Sequence, residues 1–566
     1  MTETATGTLV INPFGNGFVN LADKTIYIPR KDISFAINLD TVQVEYNQLE
    51  NGQYTGKIIN YSLVDREFIG RMHHTYKNNA FIYVSELKKH LVAIPLDEFN
   101  KAGIHLDKNS WMRIRIVSTD CASNQIHGEF LELFPDNLDI LLEKKFHITR
   151  IDESSQLPLD DTPIASNVHH RDLTNHNVFT IDPASCQDAD DAFSISYFAP
   201  NDIRIYVHIA DVASYINPDH PDFENIIARG NTFYGAATNW PMIPAKYAND
   251  ICSILPNKIT KVITTEFKYD PIAQTVDYVE WYFSIVKSRA KYDYDTADAQ
   301  IANNCDLQTI YDSSCILKLR IDDFTINRET SAHSMVKYWM IATNIVMCKE
   351  LQLIWRVNPT PSDFTNIRAY MKRFDPEFAR EWDGNREALV KYVSSKNEPL
   401  LNYLVKMMLT KAKYTASNGD HYGLGMDNYT HWTSPIRRAA DLLNHCAAHG
   451  YKQLDLAKYL PTINNAELMQ DNIEAFMLNY KSGNNAKIGQ IFNASIIEIN
   501  QFGITVFIKE LDTSYRIHIS RLSNERLTYD DASKTLTSAN CKFELFDSLK
   551  VKIAKKTIET MELVII

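Results

Sequence analysis

Four aspartates, Asp182, Asp188, Asp190 and Asp191, fall within ten positions in the stretch Thr180-Ile181-Asp182-Pro183-Ala184-Ser185-Cys186-Gln187-Asp188-Ala189-Asp190-Asp191-Ala192. An apolar run, Val178 to Ile181, precedes them and an alternating one, Phe193-Ser194-Ile195-Ser196-Tyr197, follows, a pattern that reads as strand, tight loop, strand. In an extended segment residues two apart point the same way. Asp188 and Asp190 are therefore expected to share a face, with Asp191 turned away and Asp182 returning from the preceding strand end. Carboxylates brought together in this way cannot all stay ionised without a cation between them. Hard oxygen donors in this number suit magnesium or manganese. A solvated acidic turn is the alternative reading. An EF-hand calcium loop is disfavoured, because it needs Gly at its sixth position and Glu at its twelfth and this loop has neither. Cys186, inside the loop, reads as an inert small filler rather than a reactive thiol.

The 566 residues, 45% of them hydrophobic, are enough for about three to five domains with real cores. No apolar run approaches the roughly 18 residues of a membrane span, and Met1 to Val10 lacks the basic start and apolar core of a signal peptide, so a soluble cytoplasmic protein is expected. The eight cysteines are scattered singly with no CxxC pair, which argues against a zinc site and against a disulfide framework. The net charge of -12 argues against a nucleic-acid partner, unless Lys and Arg are concentrated inside a channel while the outer surface stays acidic.

Five segments follow from the patterning. Residues 1–49 carry short strands and Gly turns of the kind that build an OB-type barrel, and 50–145 carry a second set, including Phe68-Ile69-Gly70-Arg71 and Met112 to Val117. Residues 146–177 are polar and loop-like, a linker. Residues 178–483 mix strands with long helices in irregular order, which suggests an α+β domain. Helices are expected over Ser334 to Leu351 and over Asn397 to Ala416, with Leu400, Leu401, Leu404, Val405 and Met408 as a core stripe. Residues 484–566 return to β patterning. Ser434 and Pro435 make a good helix start, the hydroxyl as N-cap and the proline at the first position, which would put Arg437 and Arg438 in the first turn. A cation there opposes the helix dipole unless an anion binds beside it, and a phosphate fits that description. The alternative pairs Arg437 with Asp441 four residues on.

The acidic stretch resembles the signature of the RNase II/RNase R (RNB) family of exoribonucleases, TIDP followed by a short loop and DxDDA. The resemblance continues at Tyr206-Val207-His208-Ile209-Ala210-Asp211-Val212-Ala213, at Ile251 to Leu255, and at Tyr429-Thr430-His431-Trp432-Thr433-Ser434-Pro435-Ile436-Arg437-Arg438 with Asp441 and His445 after it. It implies an α+β RNB catalytic domain flanked by all-β OB barrels, two cold-shock-like at the N-terminus and one S1-like at the C-terminus. It also implies a monomeric, magnesium-dependent hydrolase, with two ions that manganese can replace, processively degrading single-stranded RNA from the 3′ end to 5′-mononucleotides and a short limit oligonucleotide. Asp182, Asp188, Asp190 and Asp191 would be the ligands, Asp190 the least dispensable, and Arg437 the catalytic cation. Arg438, Ser434 and His431 would lie on the RNA path, and Tyr234 and Tyr294 would flank the RNA end, Tyr292 being the competitor of Tyr294. Phe14, Phe18 and Tyr27 are candidate stacking residues of the first barrel, and Phe492, Phe502, Phe507 and His518 of the last. The chain departs from the family where Lys337 and Tyr338 stand in place of acidic residues, and Gln470 is a plausible occupant of a late glutamate position. A non-catalytic RNA-binding protein and a DNA exonuclease are the competing readings.

Overall fold

The computed structural model describes residues 3–566 apart from 12–15, 22–23, 39, 50–52, 88–89, 108–109, 121–124, 136, 152–167, 322–323, 325–329, 352–353, 452–453, 486, 532 and 557–560, and apart from the side chains of 479–485 and 556. The chain forms two compact units, Met1–Ile148 with Gly235–Thr238, and Thr149–Tyr234 with Asn239–Ile566.

In the first unit β1 (Glu3–Ile11), β2 (Gly17–Asn20), β3 (Thr25–Ile28), β4 (Thr41–Gln48) and β5 (Tyr54–Asn60) close a barrel in the order β1-β2-β3-β5-β4. Alternation sets its inside: β3 buries Ile26 and Ile28 and leaves Tyr27 facing out. The barrel extends past residue 49, the expected boundary, because closure needs a fifth strand. That strand is β5, antiparallel to β4 and parallel to β3. A second barrel repeats the same strand order with β6 (Glu67–Tyr76), β7 (Asn79–Tyr83), β8 (Leu91–Pro95), β9 (Trp111–Asp120) and β10 (Gln125–Leu133). The short helix α1 (Leu96–Lys101) buries Phe99 against it, and α2 (Leu138–Lys145) follows, its first amides accepted by the Asn137 side chain.

The second unit is built on a six-stranded mixed sheet. Its strands are β11 (Arg171–Asp172), β12 (Val178–Asp182), β13 (Asp191–Ala199), β14 (Asp202–Ala210) and, after α3 (Phe223–Arg229) and the hairpin of β15 (Phe233–Tyr234) and β16 (Asn239–Trp240), β17 (Ile259–Asp270) and β18 (Thr275–Asp293). Because β17 pairs with β18 as well as with β14, the strands β18, β12, β13, β14 and β17 form a continuous ring. β11 already pairs with β18, so the sheet begins inside the segment expected to be linker.

Helices α4 (Tyr294–Gln300), α5 (Cys305–Arg320) and α6 (Ser331–Glu350) cover one side. Along α6, Met335, Val336, Trp339 and Thr343 are buried and Met340 is half-buried, with the Trp339 ring 5.1 Å from Phe267 of β17. Next come β19 (Trp355–Val357), α7 (Thr365–Phe374), α8 (Pro376–Glu381), α9 (Arg386–Lys396), α10 (Pro399–Met408) and β20 (Lys413–Thr415). The helix expected over Asn397 to Ala416 is cut at both ends. Asn397 adopts a left-handed φ of 43° that ends α9, Pro399 can only open a helix, and Tyr414 is drawn into a strand pair with Arg356.

After α11 (Ala439–Ala448) and α12 (Leu456–Asn485), which runs past the expected boundary at 483, the chain returns to β structure. β21 (Ile491–Asn500), β22 (Gly503–Ile508) and β23 (Thr513–His518) form a five-stranded sheet with β27 (Ser548–Lys556) and β28 (Met561–Ile565). Between them β24 (Thr528–Asp530), β25 (Thr535–Thr537) and β26 (Lys542–Phe543) make a smaller sheet. Phe492 and Phe507, expected as stacking residues, are core: Phe507 is 3% exposed and its ring stacks on Tyr403 of α10 at 4.5 Å. Alternation allowed either face of β22 to be the wet one, and α10 covers the face that Phe507 occupies. Among the described residues no helix is long and apolar enough to cross a membrane.

Phe507→Ala removes a ring packed on both sides and is expected to cost about 3–5 kcal/mol. Phe502→Ala, at an exposed site, is expected to stay within about 0.5 kcal/mol of the parent. Urea unfolding of the full chain measures both.

Candidate active site

The sheet places two of the four aspartates by register and the loop places the others. Asp182 ends β12 and Asp191 begins β13. The loop between them is not extended. Cys186 N–H donates to the Pro183 carbonyl at 2.9 Å, Ala189 N–H donates to Ser253 Oγ at 3.0 Å, the Ser253 hydroxyl donates to the Gln187 carbonyl at 3.2 Å, and Ile254 N–H donates to the Ala189 carbonyl at 3.1 Å. A period of two therefore does not govern the loop. Asp191, instead of turning away, lies beside Asp182 and Asp190, half-buried with its Oδ2 fully buried, and Asp188 is half-buried. Asp182 and Asp190 are 9% and 4% exposed.

Burial raises the carboxyl pKa values of three of these residues. Asp190 is pushed up to about 8, against the opposing pull of the Arg437 guanidinium and the Ile436 amide. Asp191 is held well above its usual range by burial and then by the charges of Asp182 and Asp190. Asp182 is raised by burial, with the Cys186 thiol and the Lys291 ammonium working the other way. Asp182 Oδ2 and Asp191 Oδ2 are buried with no hydrogen-bond partner. The Cys186 sulfur lies 3.6 Å from Asp182 Oδ1 and 3.7 Å from Asp188 Oδ1, and burial and those carboxylates raise its pKa, so the thiol keeps its proton. Among the described residues no group of three or more His, Cys, Asp or Glu side chains is already set around one point as a metal cage. By donor chemistry the set fits a hard divalent ion: buried carboxylates, two of them with an unused oxygen, each disfavoured as a bare charge.

The second half of the site is the turn at Ser434 to Arg438. Ser434 does not cap a helix. The Arg437 and Arg438 amides both point back to its carbonyl, at 3.3 and 3.0 Å, and α11 starts only at Ala439. Tertiary bonds override the local start signal: Thr232 N–H donates to the Arg437 carbonyl and Ala439 N–H to the Gly230 carbonyl. The two arginines then part. Arg437, its side chain 41% exposed, donates through Nη2 to Ser434 Oγ at 2.8 Å and stands with Nε 3.4 Å from Asp190 Oδ2, while Ile436 N–H donates to Asp190 Oδ1 at 2.9 Å. Arg438 is half-buried, its side chain 19% exposed, and pairs with the buried Asp441 at 2.7 Å, so it is occupied by the protein rather than presented to a phosphate. The alternative pairing of Arg437 with Asp441 is thus taken by its neighbour.

Tyr234 stands beside Arg437, Asp188 and Asp190, and burial raises its hydroxyl pKa. Tyr294 faces Asp191 and Asp182, with its pKa pushed up to about 12 by burial and those charges, and its ring meets His333 edge-on at 5.2 Å. Tyr292 is not its equal, because its ring packs on Phe179 and its hydroxyl accepts from Asn304. His431 lies behind the arginines, its Nδ1 2.7 Å from the Tyr414 hydroxyl, and is held neutral by burial and by Arg438, Arg356 and other cations around it. That side chain is scaffold rather than a contact for RNA. Tyr338 is 1% exposed, so the position that departs from the family is core. In the first barrel Phe18 and Tyr27 stand 5.6 Å apart and, with Lys24 and Tyr54, line a cavity of about 620 Å³, whereas Phe14 lies outside the described residues. In the last sheet Phe502 is 46% exposed, and His518 is exposed with Nδ1 2.8 Å from Ser520 Oγ.

Asn344 and Asn444, which hold the site, give no signal in a single sequence, whereas His445 is visible only through the family resemblance. Asn344 accepts from the Trp432 amide at 2.8 Å, Asn444 accepts from the Ile354 amide at 2.8 Å and donates to the His431 carbonyl at 2.9 Å, and His445, kept neutral by burial, bonds the Trp432 carbonyl at 2.9 Å. Ser253 was visible only as part of a family motif, and its bonds to 187 and 189 explain why it is there.

A strand-borne acidic loop facing an arginine turn, on an α+β core, is the construction of a phosphodiester-handling enzyme. The RNB domain matches residues 170–453, half of the chain, and the chain belongs to that family. It is 22% identical to the ribonuclease R of Aquifex aeolicus over 97% of this chain and 87% of that one. The fold is that of Mycoplasma genitalium RNase R, solved in its apo form (TM-score 0.80, 18% identity, 99% of this chain and 100% of that one) and in complex with ribose methylated single-stranded RNA (TM-score 0.79). It is also that of the yeast pseudonuclease Ssd1 (TM-score 0.67, 16% identity, 94% of this chain and 81% of that one).

Arg438→Ala strands the buried Asp441 and is expected to cost about 3–5 kcal/mol, whereas Arg437→Ala, at a half-exposed ion pair, is expected to cost under about 1 kcal/mol. Denaturant unfolding at neutral pH separates them.

Proposed function

We propose that the chain is a magnesium-dependent hydrolytic exoribonuclease that shortens single-stranded RNA from its 3′ end, processively, to 5′-mononucleotides and a short limit oligonucleotide. The observation that carries this reading is the Asp190–Arg437 contact, which sets a half-exposed guanidinium against a group of buried carboxylates with unused oxygens. Family membership and a relative solved with single-stranded RNA support the substrate class. Asp182, Asp188, Asp190 and Asp191 would hold the ion or ions. Bound magnesium supplies a Lewis acid for the phosphoryl oxygens and lowers the pKa of a coordinated water.

The protein's own groups do the rest. Arg437, steered by Ser434 Oγ and Asp190, offers N–H donors and a positive charge to the scissile phosphate, where negative charge grows in the transition state. Tyr234 and Tyr294 stay protonated and offer ring faces and hydroxyls to the terminal nucleotides. The Phe18–Tyr27 surface, in a barrel we read as cold-shock-like, and Phe502 with His518, in a sheet we read as S1-like, would hold the strand by stacking, worth about 1–3 kcal/mol per base. Such holding keeps a strand from leaving between cuts. A monomer acting in the cytoplasm completes the proposal.

The yeast pseudonuclease shows that this fold also occurs without nuclease activity, so the competing reading is an RNA-binding protein. The intact set of four aspartates favours the enzyme.

In a time course on 5′-labelled single-stranded RNA with magnesium, the parent is expected to collapse the ladder to a short limit product. Asp190→Asn is expected to bind the RNA and cut roughly a thousandfold more slowly. Internal fragments, or binding without cleavage by either protein, would sink the proposal.

A further inference from the structure

The hairpin that carries Tyr234 is short, two residues a side, with Phe233 opposite Trp240 and Tyr234 opposite Asn239. A ladder of that length does not hold itself in water. Burial secures its base, Phe233 being 5% and Trp240 3% exposed, and the Met242 amide donates to Thr232 Oγ at 3.0 Å just before it. The tip, Gly235–Thr238, packs as part of the first compact unit, and there it meets Asp139 of α2. Ala236 N–H donates to Asp139 Oδ1 at 2.6 Å and Ala237 N–H donates to Asp139 Oδ2 at 2.9 Å. Asp139 is 6% exposed, so both oxygens of a buried carboxylate are committed to two consecutive amides 97 and 98 positions away. Bonds from amides to a carboxylate are about twice as strong as neutral ones. An acidic residue in a first helical turn commonly serves its own helix. In α2 that duty is already filled, because the Asn137 side chain accepts from the Asp139 and Ile140 amides.

We propose that Asp139 is a positioning residue for the reaction: it fixes the tip of the hairpin and thereby the direction in which Tyr234 presents its ring and hydroxyl to the terminal nucleotide. The proposal rests on the exonuclease reading, in which Tyr234 flanks the RNA end. One peptide link joins Tyr234 to the tip, and the Gly235 amide closes the tip by donating to the Thr238 carbonyl at 2.9 Å, so movement of the tip is carried directly into Tyr234. Asp139 acts through the backbone of Ala236 and Ala237 and not on the reacting atoms. Asparagine at this position turns one acceptor oxygen into an NH2 group, which sets a donor against a backbone donor and removes one of the two bonds.

Asp139→Asn and Asp139→Ala in the full chain test this. Hydrogen exchange of the peptide spanning residues 233–240, read by mass spectrometry, is expected to quicken about tenfold in both variants while peptides of the six-stranded sheet keep their rates. On single-stranded RNA with magnesium, kcat is expected to fall roughly ten- to a hundredfold with KM changed by under about twofold, since the strand still binds and only the placement of its end is lost. A role confined to the second barrel would instead raise KM and spare kcat, and that result overturns the proposal. In a Tyr234→Ala background the same substitutions are expected to change kcat by under about twofold, and full additivity overturns it. RNA with a 3′-terminal 2-aminopurine, added without magnesium, reads the placement independently of cutting: fluorescence quenched by the parent is expected to recover in Tyr234→Ala and in Asp139→Asn alike. Cleavage by the parent that Asp139→Asn leaves unchanged overturns this inference and leaves the exonuclease reading standing. Quenching that depends on both Tyr234 and Asp139, without cleavage, does the reverse.

Discussion

Asp190 meets Ile436 and Arg437 across 246 positions of sequence, and the site exists because that contact is made. A carboxylate 4% exposed is costly unless it is hydrogen-bonded and faces a cation, and here the two come from one turn. The turn must in turn be held. Ser434 N–H and the Arg438 guanidinium both donate to Asp441 Oδ1, which ties the turn to α11, and Asn344 of α6 fixes the Trp432 amide ahead of it. On its other side Gly230 lets the backbone come close. Its φ of 74° suits glycine, and a Cβ there would lie 2.3 Å from that of Ala466 on α12. The Gly230 carbonyl is thereby free to accept from Ala439, which sets where α11 begins.

The acidic half is arranged by a different device. β12 and β13 meet in an antiparallel pair at Phe179 and Phe193, deep in the core, and this pairing brings the ends that carry Asp182 and Asp191 together. The intervening loop is then gathered by Ser253, which receives one loop amide and donates to one loop carbonyl. Apolar packing thus supplies the free energy that keeps like charges close, and the carboxylates keep unused oxygens as a result. Stability is given up locally for function, as expected of a binding site.

What the sequence made legible and what it hid follow the range of the forces. The apolar runs beside the aspartates and the buried face of α6 are local signals, and the structure places them where the periods require. The direction of Asp191 was misread because a strand period was applied to a loop shaped by hydrogen bonds to Ser253. Ser434 and Pro435 signal a helix start, yet Thr232 and Gly230 claim the backbone there. Phe507 alternates correctly and still fails as a stacking residue, since only the presence of α10 decides which face of β22 is dry. The boundary at residue 49 fell one strand short because barrel closure is a property of five strands and no single strand announces it.

A net charge of -12 does not by itself exclude a polyanionic ligand. The relevant quantity is the field where the phosphates sit, not the sum over the surface. Behind Arg437 lie Arg438 and Arg356, the former partnered by Asp441 and the latter by Glu467, with its guanidinium 4.6 Å from the Tyr414 ring. All three arginines press on His431, which loses its proton to burial and to their combined charge. Burial is the larger cause and the guanidiniums add to it, and the ring is held by the Tyr414 hydroxyl at 2.7 Å. The partner of Arg438, Asp441, is buried and that of Arg356, Glu467, is half-buried, and both offset the deeper arginines, while Arg437 is the half-exposed one. Among the described residues its ion pair is with Asp190.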